Sequence, residues 1–194
     1  MPGRVYFISA DYLKAHTTIN NNVDNNLLNN AIFEAQAIHI QTAMGSKLYN
    51  KLCNLILSGD ITLPANAVYK TLLDEYVQEC VSYWAWAEAI PYIAMKVVNK
   101  GVERQISDYS NEAELKEVEY LRDEVRNKAE FFSQRMIDYL HANHDKYPEL
   151  LENHNVDEMH PSGSQYFSGL QFDSDGECAC IKQMGYPCRT VTLQ

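Results

Sequence analysis

The sequence predicts an all-α fold: a helical bundle built on a long helical hairpin, with a short N-terminal arm and an extended, mostly irregular C-terminal tail. Three observations predict it. Between Ala65 and Lys100, apolar residues recur at Val68, Leu72, Tyr76, Cys80, Tyr83, Ala87, Ile90, Ala94 and Val97, always three or four apart. That spacing keeps side chains on one face of a helix. From Asn111 to about His144 a second seam runs through Leu115, Val118, Leu121, Val125, Ala129, Phe132, Met136 and Tyr139, in steps of three or four. From Pro148 onward apolar residues become sparse among Asn, Asp, Gly, Ser and Pro. Such a stretch cannot build a core of its own.

Taken in order, Val5-Tyr6-Phe7-Ile8 reads as an extended arm, free to reach a neighbour. Ser9 is placed to cap a short helix through about His16, with Asp11 favourable in its first turn. The polar stretch Asn20–Asn26 reads as a loop, with Asp24 as the next N-cap. A helix follows from about Asn25 to Ala43, with Leu28, Ala31, Ile32, Ala35, Ile38 and Thr42 inward, and Gly45 breaks it. Ser46 to Leu57 resumes with Leu48, Leu52, Leu55 and Ile56. Pro64 precedes the central helix, where its missing N–H costs little.

That helix has a second stripe, Tyr69, Leu73, Val77, Val81 and Trp84, so it is expected to have neighbours on both sides. Pro91 is expected to bend it near Ala87, and Asn99-Lys100-Gly101 to stop it. Val102 to Ser110 reads as a polar connection. The division that follows is a helical domain over 1–147 and a tail over 148–194. In the tail, Gln165–Phe172 and Cys188–Leu193 are candidate short strands for pairing across chains.

The formal net charge is −10, and residues 148–194 hold seven acids and two bases. An acidic balance argues against binding nucleic acid through phosphate contacts, and against a polybasic membrane anchor. No apolar run approaches the roughly 18 residues that a membrane span needs, and the apolar run at the N-terminus is too short for a signal peptide. Five cysteines, two of them on helical apolar faces, point to a reducing compartment.

Motifs for chemistry are few. Cys178, Cys180 and Cys188 are the best metal candidates, with His160 as a fourth ligand for tetrahedral zinc. Their spacing lacks the usual C-x2-C pair, so free thiols or disulfides in an assembled particle remain as alternatives, and no metal or cofactor is assigned. Asp138 and His141 have the i,i+3 spacing of a di-iron ligand pair, but the motif occurs once, where such bundles need it twice. No phosphate loop, nucleophile elbow or H-E-x-x-H is present. No catalytic residue is assigned.

The order Ile8-Ser-Ala-Asp-Tyr-Leu-Lys14, the Asn/Asp loop, then Ala31-Ile32, Ala35-Gln36, Ile40 and Gly45-Ser-Lys-Leu-Tyr-Asn-Lys-Leu52 resembles the head–tail connector (adaptor) proteins of tailed bacteriophages, particularly those of phages with Bacteroides-type hosts. The resemblance covers roughly residues 5–145. It implies a structural virion protein without catalysis, made in the host cytoplasm and placed at the capsid–tail junction. Such a protein forms a homo-oligomeric ring, commonly a dodecamer, against the portal protein and neighbouring connector or tail proteins. DNA passes through the ring without specific binding, which an acidic channel favours.

A ring needs two unlike faces on each subunit. The expected contacts are Val5, Tyr6 and Phe7 of the arm, and Tyr166, Phe167, Phe172 and Tyr186 of the tail. The alternative is an intracellular helical-bundle module that binds proteins.

Overall fold

A computed structural model describes residues 4–98, 101–104, 115–151 and 158–161. The chain is all-α apart from one short β-hairpin among these residues. Helix α1 spans Ala10–His16, and the Ser9 hydroxyl caps it by accepting the Tyr12 N–H at 3.1 Å. The Asp24 carboxylate caps α2 (Asn25–Ala35) in the same way, accepting the Asn26 N–H at 2.9 Å. Lys14 closes the Asn-rich loop between them, donating to the Asn21 carbonyl and the Asn25 side chain.

Beyond Ala35 the helix takes a π-turn, Gln36–Ile40, before α3 (Gln41–Met44) completes it. A π-turn holds one residue more than regular helix, so everything after it is displaced by one position. The apolar spacing put Ile38 and Thr42 inward. Instead Gln36, Ile40, Ala43 and Met44 are buried, and Ile38 is 56% exposed. Gly45 then breaks the helix at φ 80°, ψ 158°, a conformation essentially restricted to glycine. Helix α4 (Ser46–Ser58) buries Leu48, Tyr49, Leu52 and Leu55 and ends on Gly59 in the left-handed region.

The central rod is α5 (Ala67–Leu72), a second π-turn (Leu73–Val77) and α6 (Gln78–Ala94). Both of its apolar stripes are used. Helix α6 packs against α2 on one side and α7 (Leu115–Ala142) on the other. The rod runs through Pro91 but ends at Ala94, short of the expected Lys100.

Strands β1 (Met95–Val98) and β2 (Gly101–Arg104) pair antiparallel where helix and then polar connection were expected. Met-Lys-Val-Val is rich in β-branched residues, and two residues separate the strands, the commonest hairpin loop length. Gly101 of the expected stop signal therefore opens a strand rather than ending a helix, and Asn99 and Lys100 lie outside the described residues.

Helices α6 and α7 form the expected antiparallel hairpin. Tyr69, Tyr76 and Tyr83, seven apart, face Tyr147, Tyr139 and Phe132. The Tyr76–Tyr139 and Tyr83–Phe132 rings stack at 4.0 and 4.7 Å. The α7 seam is buried at Val125, Ala129 and Met136 and widens to include Ser133, Ile137 and Leu140. Nearer the N-terminus of α7, Leu121 is exposed, lining an apolar pocket with Trp86 and Ile90 of α6.

Two further expectations are corrected. The arm is not free: Phe7 and Ile8 are buried in the chain's own core, and Val5 and Tyr6 pack against it. The fully buried Gln36 explains this. It accepts the Phe7 N–H at 2.9 Å and donates to the Val5 carbonyl at 3.1 Å, giving the extended backbone the partners a strand would have.

Nor does the helical domain stop at Tyr147. Tyr147 is completely buried, and the Glu149 carboxylate accepts the Tyr69 hydroxyl at 2.9 Å. Residues 158–161 then return to the start of α4. Ser46 N–H donates to the Met159 carbonyl at 3.0 Å, Met159 N–H donates to the Ser46 hydroxyl at 2.9 Å, and Lys47 pairs with Glu158 at 2.9 Å. The Ser46 N–H left open where Gly45 interrupts the helix is what this strap satisfies.

Candidate functional site

Large apolar side chains are exposed on the elements at both ends of the central rod. At one end lie Leu57, Leu63, Val68 and Leu151, from the end of α4, the following loop, α5 and the segment after Tyr147. At the other end lie Tyr92, Tyr120 and Leu121. The rod between them spans about 40 Å at helical rise. Each end draws its residues from separate parts of the chain. Midway along α7, Phe131 is 65% exposed and stands with Tyr120 on the solvent side.

The hairpin end also holds an apolar pocket of about 300 Å3 lined by Ile19, Val23, Trp86, Ile90, Val118 and Leu121, with Asn20 and Glu117 among its few polar lining residues. A second pocket, of about 430 Å3, lies beside the strap. Ala43, Ile137, Leu140 and Leu150 line it with His141, His144 and His160. These histidines do not converge on a point. Among the described residues, no group of three or more His, Cys, Asp or Glu is placed to hold a metal. His144 bonds the His141 carbonyl and Asp145, and Asp138 accepts from Gln134. Asp138 is therefore engaged within its own helix, while His141 enters these contacts only through its backbone carbonyl.

Polar chemistry inside the bundle serves packing. The His39 ring stacks flat on Trp84 at 3.5 Å, and its Nε2 bonds Glu88 at 3.1 Å. That bond holds the Glu88 carboxyl below its usual range, against an opposing effect of burial. Trp84 donates from Nε1 to the Ser133 hydroxyl at 2.7 Å, and Ser133 also bonds the Cys80 thiol at 3.2 Å. Burial pushes that thiol up to about 12, so it stays protonated at neutral pH, and burial likewise raises Cys53. Neither is an activated nucleophile.

Of the residues singled out from sequence, Val5, Tyr6 and Phe7 are drawn into the molecule's own packing. His160 is exposed at the rim of the second pocket. Tyr166, Phe167, Phe172, Tyr186, Cys178, Cys180 and Cys188 lie outside the described residues. The sequence reading missed Gln36 and Ser133. Both are polar residues inside apolar segments, and that contrast was the available signal.

The fold thus defines an all-α protein on an antiparallel helical hairpin, with unlike exposed ends and a returning strap. The chain belongs to a family of unknown function (DUF6712), whose pattern matches residues 40–158. The matched stretch runs from the last residue of the first π-turn to the strap's Glu158, so it includes both helices of the hairpin. No curated protein and no solved structure matches the chain.

Proposed function

We propose that this chain is a non-catalytic structural protein of a tailed-phage virion, a subunit of the ring that joins head to tail below the portal. The observation that carries the reading is the exposure of large apolar side chains toward both ends of the rod, Leu57, Leu63, Val68 and Leu151 toward one and Tyr92, Tyr120 and Leu121 toward the other. Apolar surface left exposed on more than one side offers places for neighbours to pack. Unlike surfaces on one subunit make heterologous contacts, which close into a ring when the rotation between copies allows.

The element order adds support. A capped short helix, a polar loop, a helix broken at Gly45 and a long hairpin follow the residue order quoted above for the connector resemblance. The acidic net charge suits a channel that DNA passes without adhering. In this reading the tail residues Tyr166, Phe167, Phe172 and Tyr186 remain the contacts offered to the portal or to an adjacent ring.

Fractionation of purified virions tests the reading. The chain is expected in particles at the portal's copy number, and in solution as, or recruited into, a closed ring by native mass spectrometry. Absence from particles overturns it.

A further inference from the structure

Strands β1 and β2 form a sheet of two, and no other strand flanks it among the described residues. An isolated two-stranded ribbon is marginal in water, and each of its outer edges presents unpaired N–H and C=O groups. The register sets Met95 opposite Arg104, Lys96 opposite Glu103, Val97 opposite Val102 and Val98 opposite Gly101. A two-residue loop is closed by a hydrogen-bonded pair, here Val98 and Gly101. Alternation then leaves the backbone groups of Val97 and Val102 directed away from the hairpin. The Met95 N–H, next in that outward row, already donates to the Pro91 carbonyl. Among the described residues, the positions left open are therefore Val97 on one edge and Val102 and Arg104 on the other.

We propose that these edges pair between copies, β2 of one chain against β1 of the next, in the register the hairpin already uses. That register is self-consistent. It brings outward-directed Val97 and Val102 together as a hydrogen-bonded pair. It also sets each Lys96 between two Glu103 positions, one in its own chain and one in the neighbour's. Opposite charges directly across strands stabilise a sheet, and like charges oppose it. The strand alternation continues unbroken through the junction. The two edges differ, so the contact is head-to-tail and propagates around a ring, which is the part that rests on the function proposed above. The occupant is thereby specified as a second copy of this chain.

The full-length chain tests the pairing. Val102→Pro removes one outward N–H and leaves the helices untouched. It should weaken self-association at least about tenfold, the equivalent of one or two backbone hydrogen bonds, with an unchanged helical melt. Lys96→Glu should weaken assembly, and adding Glu103→Lys should restore it. Mixing Val97→Cys chains with Val102→Cys chains should give an interchain disulfide that peptide mapping places at 97 and 102. A wild type that stays monomeric overturns the pairing. So does a Val102→Pro chain that assembles normally, an outcome that leaves the ring standing on other contacts. A mapped 97–102 link in a chain absent from virions keeps the pairing and defeats the connector role.

Discussion

Gln36 joins the arm to the bundle through two backbone partners, one buried and one half-buried, so replacing it strands both. Gln36→Leu keeps approximate volume but leaves the Phe7 N–H and the Val5 carbonyl without partners. The expected loss is about 2–4 kcal/mol, from one to two unsatisfied buried groups, measured by urea unfolding. Glu88 carries a pH dependence. Its carboxyl is held below the usual carboxylate range, chiefly by the His39 hydrogen bond. A lowered folded-state value contributes stability that is complete above the unfolded value and is lost as pH falls through the folded one. Glu88→Gln should therefore flatten the fall in stability below about pH 4.5, read from urea midpoints across pH. A wild-type slope in the variant would assign the acid sensitivity elsewhere.

Among the elements, the glycines and the π-turns decide where helices end and which side faces inward. Gly45 sits at φ 80°, ψ 158°, and Gly59 at φ 77°, ψ 0° with open space where a Cβ would lie. Gly59→Ala should cost about 1 kcal/mol, the strain of the left-handed region alone. Gly45→Ala should cost more, about 1–3 kcal/mol, because its region excludes side chains altogether. Thermal melts of the two variants should rank in that order.

Helix caps at Ser9 and Asp24 and the break at Gly45 were legible because they depend on a few neighbouring residues. The inward face after Ala35 was not. A π-turn has no residue signature, and it exchanges Ile38 for Gln36 and Ile40 by shifting the count by one. The hairpin at Met95–Arg104 was hidden because Ala94 and Val97 continue the helical spacing, so an apolar period alone could not separate helix from strand.

For the molecule as a whole, the long antiparallel pair was readable from two seams because it is repetitive. The strap was not, because Ser46 and Met159 are far apart in sequence and neither belongs to a pattern. Ser46→Ala removes the hydroxyl that accepts both the Met159 N–H and the Gln41 amide. The expected outcome is faster amide exchange at Met159, with exchange along α6 unchanged; equal speeding in α6 would mean the strap and the bundle open as one unit. The exposed apolar residues were equally hidden, since nothing in the spacing around Leu57, Leu63, Val68 and Leu151 sets them apart from core positions.

Both tryptophans lie on one stretch of α6 but report on different places. Trp84 is locked against His39 and Ser133 in the centre, and Trp86 lines the apolar pocket at the hairpin end. A chain with Phe at one of the two positions would therefore emit light from a single known site. The chain retaining Trp84 would track global unfolding, and the chain retaining Trp86 would register contact at that end while the rest stays folded.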